Sequence, residues 1–184
     1  MSTEESTGER ASLRALAAFF GRLLVRELDA ADLASLREES GELLGALEDL
    51  GISLPSPAEE AAWLEARGAD YHELFLRPES GPLVQSLWTQ GRYEGDATVR
   101  VRELATFAGF DYQREAARGA AVDHLGSLLL LWSATEGRVQ EVADELAREH
   151  FAWAERPLTR IAEAEGFYGA VGGACRTLLR ELCP

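Results

Sequence analysis

The chain has 184 residues, 46% hydrophobic and 27% charged, and its 32 acidic against 18 basic side chains leave a formal charge of −14. That length suits one domain whose core needs no covalent staples, and the composition excludes wholesale disorder. The acidity sets the surface against nucleic-acid phosphates and anionic lipid headgroups, and favours cationic partners.

Residues 1–9 read as a disordered, acidic tail without the basic start and apolar middle of an export signal, so the domain is taken as 10–184 and as cytoplasmic. From Leu13, the residues Leu13, Leu16, Ala17, Phe20, Leu23, Leu24 and Leu28 recur at helical spacing. Asp29 or Asp32 caps a second helix carrying Leu33, Leu36, Leu43, Leu44 and Leu47, which Gly41 and Gly45 weaken. After a loop over Ile52–Pro57, Ser56 and Glu59 form a capping box and open a helix towards Leu76, with Gly68 placed to break it in two. Residues 77–96 contain Pro78, Pro82 and several glycines and read as an irregular connection, anchored by Leu83, Val84, Leu87, Trp88 and Tyr93. Further helices are predicted from Thr98 to Phe107, from Ala120 to Thr135, from Val139 into the 150s, after Pro157, and from Phe167 to Leu182. The sum is an all-α, single-domain bundle of about eight helices with a Pro/Gly-rich connection in the middle.

The central segment, with Val122, Leu125 and Leu128 to Trp132, is apolar on almost every side, which marks a helix buried in the bundle. Its polar residues, Asp123 and His124, stand at the entry. Neighbouring helical positions diverge, so the two need separate partners or an opening.

Missing residue types narrow the chemistry. Every cation is an arginine; the chain has no Lys and no Asn. That excludes a Walker A loop, a Schiff-base lysine, N-glycosylation and a Cys-His-Asn triad. Two cysteines, Cys175 and Cys183, make neither a disulfide framework nor a cysteine-rich metal site. His72-Glu73 is followed by Leu-Phe-Leu, so the second histidine of a zinc-protease helix is missing. No Gly-x-Ser-x-Gly or Gly-x-Gly-x-x-Gly occurs, and Gly169, Gly172 and Gly173 fall in a helical pattern that suits close packing. The longest apolar run, Leu125–Trp132, is too short for a membrane span. No metal, cofactor or catalytic site is expected; binding is.

At Tyr71-His72-Glu73-Leu74-Phe75, followed by Pro78, Pro82, Ser86 and Trp88, the chain resembles the TorD/DmsD family of redox-enzyme maturation chaperones. A second family motif reads Ala120-Ala121-Val122-Asp123-His124, and a third, weaker one is His150 with Trp153. Here Gln85 stands where the family has Glu, and the family's Glu-Pro before Asp-His is absent. Order and spacing agree over about residues 10–182.

The resemblance implies a non-enzymatic cytoplasmic chaperone without a cofactor. It would bind the twin-arginine leader or the apo-form of a molybdopterin oxidoreductase until cofactor insertion, before export. A leader of two arginines followed by an apolar stretch needs an apolar groove with carboxylate near its mouth. Tyr71, Leu74, Phe75 and Trp88 are the implied groove residues, Asp123 the implied partner of the arginines, and His124 a residue that orients the peptide or a neighbouring loop. The same residues also suit plain packing. Tyr71, Leu74 and Phe75 have the spacing of any core stripe, and an acidic residue at a helix start is favoured by the macrodipole. A client without a leader, a nucleotide-handling enzyme, and a monomer or domain-swapped homodimer all stay open at this point.

Overall fold

The apolar spacing after Leu13 builds the longest helix, α1 (Thr3–Val25), which buries Ala17, Phe19, Phe20, Leu23 and Leu24. This computed structural model describes residues 3–38, 45, 48–49, 51–77, 82–111 and 120–183, the side chains of 3–7 excepted. Helix α1 starts at Thr3, inside the stretch read as a tail; residues 3–12 contain no proline to stop it.

Helix α2 (Ala30–Glu38) opens on a reciprocal box in which Asp29 Oδ1 accepts from Asp32 N–H and Asp32 Oδ2 accepts from Asp29 N–H, both at 3.0 Å. It buries Leu33 and Leu36; the expected Leu43, Leu44 and Leu47 lie outside the described residues. Helix α3 (Glu60–Tyr71) runs through Gly68 unbroken, and the Glu27 carboxylate lies where a Cβ at Gly68 would stand. Before it, Glu59 reaches back to accept from both the backbone N–H and the hydroxyl of Ser56. Helix α3 ends in a wider π-helical turn, His72–Leu76.

The connection is less irregular than its prolines and glycines imply. It contains a short helix, α4 (Gln85–Gln90), closed by Gly91 in the left-handed region at φ 70°. Then follow α5 (Asp96–Phe107), α6 (Leu125–Thr135), α7 (Gln140–Glu149), a 3₁₀ turn at Ala152–Ala154, α8 (Glu155–Ala162) and α9 (Phe167–Leu182). Among the described residues there are nine α-helices and no strand, beyond one isolated antiparallel bridge between Val84 and His124.

Helix α6 is the buried rod expected of it, with Leu125, Leu128 and Leu129 fully enclosed. It begins at Leu125 rather than Ala120, because His124 is extended (φ −70°, ψ 139°) and caps the helix with its own side chain. The α1–α6 pair is the centre of the bundle. Its antiparallel sense follows from the contacts of Gly21 with Gly126, Arg14 with Ser133 and Arg10 with Glu136. The crossing is so close that a Cβ on Gly126 would sit 2.7 Å from the Gly21 carbonyl oxygen. Helix α9 packs on α8 in the same way at Gly172, and at Gly169 it meets the backbone of Ala164 in the turn after α8, whereas Gly173 has its nearest such contact at 4.0 Å.

Gly126→Ala is therefore expected to destabilise the protein by about 1–3 kcal/mol through forced separation of α1 and α6. Gly173→Ala, with room for its methyl, is expected to stabilise it by about 0.4–1 kcal/mol. Urea denaturation of both variants checks the pair.

Candidate peptide-binding cleft

Three separate stretches of chain meet on one side of the α1–α6 pair. Segment 82–86 lies antiparallel to 121–125: Leu125 N–H donates to Leu83 O at 2.8 Å, and Gln85 N–H donates to Asp123 O at 3.0 Å. Asp123 Oδ2 then accepts from Ser86 N–H at 2.9 Å. The carboxylate thus serves as cap for α4, whose own N-terminal residue, Val84, has no side chain that can. Ser86 Oγ in turn accepts from Thr98 Oγ1 at 3.4 Å, tying in α5. On the far side of α4, Gln85 Oε1 lies 2.8 Å from His150 Nδ1, and Gln85 Nε2 donates to Glu149 O at 3.3 Å. Trp153 Nε1 donates to His150 O at 2.8 Å. The three motif segments are thereby joined through buried polar groups: Gln85, Ser86, Thr98, Asp123 and His150 are all buried.

This frame holds open a cleft of about 610 Å³. Val25 at the end of α1, Tyr71 and Phe75 at the end of α3, and Val84, Val122 and His124 from the docked segments form its inner wall. Leu76 and Tyr93, 58% and 56% exposed, stand on its rim. Thr98 and Arg102 of α5, and Glu94 in the turn before it, complete the polar side. Tyr71 and Phe75 are fixed from behind. Their rings pack at 4.8 Å between centroids and both lean on Tyr168 of α9, while Tyr71 OH donates to Leu24 O at 3.0 Å. Burial pushes the Tyr168 hydroxyl upward in pKa, and that hydroxyl has no hydrogen-bond partner among the described residues.

His124 faces the cleft while capping α6. Its Nδ1 accepts from Gly126 N–H at 3.1 Å, which leaves the proton on Nε2 and requires the neutral imidazole. Burial drives its pKa down to about 4, against the opposing pull of the Asp123 charge. Burial also holds His150 below the usual range, opposed by Glu145 and Glu149.

Of the residues expected at a binding groove, Tyr71, Phe75 and His124 line the cleft and the other three do not. Asp123 is 0% exposed, behind the wall rather than at the mouth. The physical reason is its position before the cap of α6, where its carboxylate turns to the free N–H of α4. Its second oxygen, Oδ1, has no hydrogen-bond partner among the described residues. Leu74 is half-buried and packs on the core. Trp88 lies within α4 rather than in a loop and ties that helix to the segment before it: its indole N–H donates to Pro82 O at 2.7 Å and Arg156 lies 5.7 Å from its ring centroid. Pro78 lies outside the described residues. Sequence reasoning missed Val25, Leu76, Glu94, Thr98 and Arg102 as cleft residues. The one available signal was Leu76, a large apolar residue left over just past the aromatic motif.

The described residues thus form an all-helical bundle with an apolar-walled cleft between the docked motif segments. The fold is that of a crystal structure described as a redox enzyme maturation protein from Archaeoglobus fulgidus, with a TM-score of 0.59 and 20% identity over 91% of this chain and 93% of that one. Residues 29–160 match the model of the nitrate reductase delta subunit family. The chain belongs to that family, in keeping with the TorD/DmsD resemblance of its motifs. Two curated relatives are named Tat proofreading chaperone DmsD. The one from Salmonella paratyphi A (strain ATCC 9150 / SARB42) is 31% identical and the one from Salmonella typhi 30% identical, each over 119 residues. Those matches cover 60% of this chain and 57% of each relative's length. Among the described residues no helix is long and apolar enough to cross a membrane.

The neutral cap at His124 has a pH consequence. The folded imidazole titrates near 4 and the ordinary value is 6.5, so the unfolded chain takes up the proton first. The stability contributed by His124 is complete above pH 6.5, falls as the pH drops from 6.5 to about 4, and levels off below. Denaturation midpoints of wild type and His124→Asn across that window check this: the variant is expected to lose part of the slope.

Proposed function

We propose that this protein is a maturation chaperone for a molybdopterin oxidoreductase. It holds the enzyme's twin-arginine leader in the cleft, on the cytoplasmic side, and keeps the apo-form until the cofactor is inserted. It has no chemistry of its own. The observation that carries the reading is the cleft itself, with its aliphatic and aromatic inner wall at the junction of the family motifs. Its volume of about 610 Å³ falls within the range of roughly 300–1,000 Å³ in which pockets enclose small ligands. Such a space takes a few apolar side chains of a segment, not a folded domain. The net charge of −14 draws in the cationic start of a leader. The relatives' printed name, Tat proofreading chaperone, supports a leader as occupant over a segment from the body of a client.

In this reading Tyr71, Phe75, Val84 and His124 contact the apolar stretch, and Leu76 and Tyr93 close over it from the rim. Asp123 and Trp88 act from behind by holding α4 and its loop in place, and Leu74 by packing beneath the wall.

Leu76→Gln combined with Tyr93→Ser removes exposed apolar surface from the rim without touching the core. The double variant is expected to bind a synthetic twin-arginine leader at least about tenfold more weakly, a difference of about 1.4 kcal/mol, with its unfolding midpoint unchanged. Calorimetric titration reads this. Failure of wild type to bind, or equal affinity of the two proteins, overturns the proposal.

A further inference from the structure

With Asp123 sealed, the cleft needs another acceptor for the arginines. We propose that Glu94 is the carboxylate that receives a guanidinium of the bound segment, so that its arginines lie at the turn between α4 and α5. This rests on the leader reading of the cleft and adds the residue that sets its preference for arginine.

Two observations converge on Glu94. Among the described residues that line the cleft it is the single carboxylate. It is also the one non-glycine residue with a positive φ among the described residues, at 55°. A glutamate in the left-handed region costs on the order of 1–2 kcal/mol relative to the right-handed one, a conformation that glycine or asparagine takes more readily. The surrounding turn holds that conformation firmly. Gln90 Oε1 accepts from Asp96 N–H and Gln90 Nε2 donates to Asp96 Oδ2, both at 3.0 Å. Gly95, whose Cβ position the Gln90 side chain fills, lets the chain fold back on itself. A charged side chain is thus kept in a strained place, on an anchored turn, beside the exposed ring of Tyr93.

Arg102 lines the same cleft with the opposite sign, and among the described residues neither it nor Glu94 has an ion-pair partner. A peptide arginine entering beside Glu94 gains a charge-assisted hydrogen bond and meets repulsion from Arg102. The two residues therefore have opposite predicted effects on the same peptide. Both are exposed, so each effect is modest and fades with salt.

The test is a double-mutant cycle by fluorescence anisotropy at low ionic strength. It uses wild type, Glu94→Gln and Arg102→Gln against three synthetic leaders, whose twin residues are Arg-Arg, Lys-Lys or Ala-Ala. Glu94→Gln is expected to weaken the Arg-Arg leader about three- to fivefold, to weaken the Lys-Lys leader less, and to leave the Ala-Ala leader unchanged. Arg102→Gln is expected to tighten the Arg-Arg leader by a similar factor. If wild type binds but Glu94→Gln has no effect, or an equal effect on all three leaders, the assignment of Glu94 falls and the leader reading survives. If wild type binds none of the three, both fall together.

Discussion

The arrangement turns on one buried contact, the Asp123 carboxylate accepting from the Ser86 N–H at the start of α4. A six-residue helix such as α4 is too short to hold itself together in water. Its first N–H groups find no side-chain cap of their own and are met instead by the Asp123 backbone and carboxylate oxygens. Because Asp123 sits immediately before the helix that crosses α1 at Gly21 and Gly126, the connection is fixed to the most tightly packed part of the molecule. Losing that acceptor would leave a buried N–H orphaned, at a cost of about 1–3 kcal/mol, and would free one wall of the cleft.

The cleft is consequently built from both ends. Aromatic rings at the end of α3, backed by Tyr168 of α9, set one wall, and hydrogen-bonded backbone sets the other. Polar groups there are almost all spent on architecture: His124 on Gly126, Ser86 on Asp123, Gln85 on His150. That leaves the lining apolar except along α5 and the turn before it, where Thr98, Arg102 and Glu94 stand. A site of this kind grips a segment by excluding water from its apolar side chains, and selects for charge only at one end. The bridge from Gln85 to His150 extends the frame to α7, so the three motif stretches, distant in sequence, form a single polar spine.

Much of this was legible in the chain. Helix α9 spans Phe167–Leu182 as its periodicity indicates, and the apolar run after His124 is a buried rod. The three motif stretches named the segments that converge. Local patterning could not show what those segments do to one another. The stretch Gln85–Gln90 is too short for a helical period to register, so α4 was hidden among prolines and glycines. Asp123 beside an apolar helix reads as that helix's own first-turn acid; only tertiary contact shows that it caps a different one. Glu94 lies between glycines in a stretch that reads as a plain turn, and nothing in Tyr93-Glu94-Gly95 signals which of the three takes the left-handed conformation. The closeness of α1 and α6 likewise depends on two glycines that meet only in the fold.

Amide hydrogen exchange in the unliganded protein, read residue by residue, tests the central claim most directly. If Asp123 holds the connection in place before any partner arrives, the amides of Gln85, Ser86 and Leu125 exchange slowly, at rates near those of the α6 interior. Exchange of these three as fast as the amides of the exposed 91–94 turn would contradict it, and would mean that the cleft wall forms only when something binds.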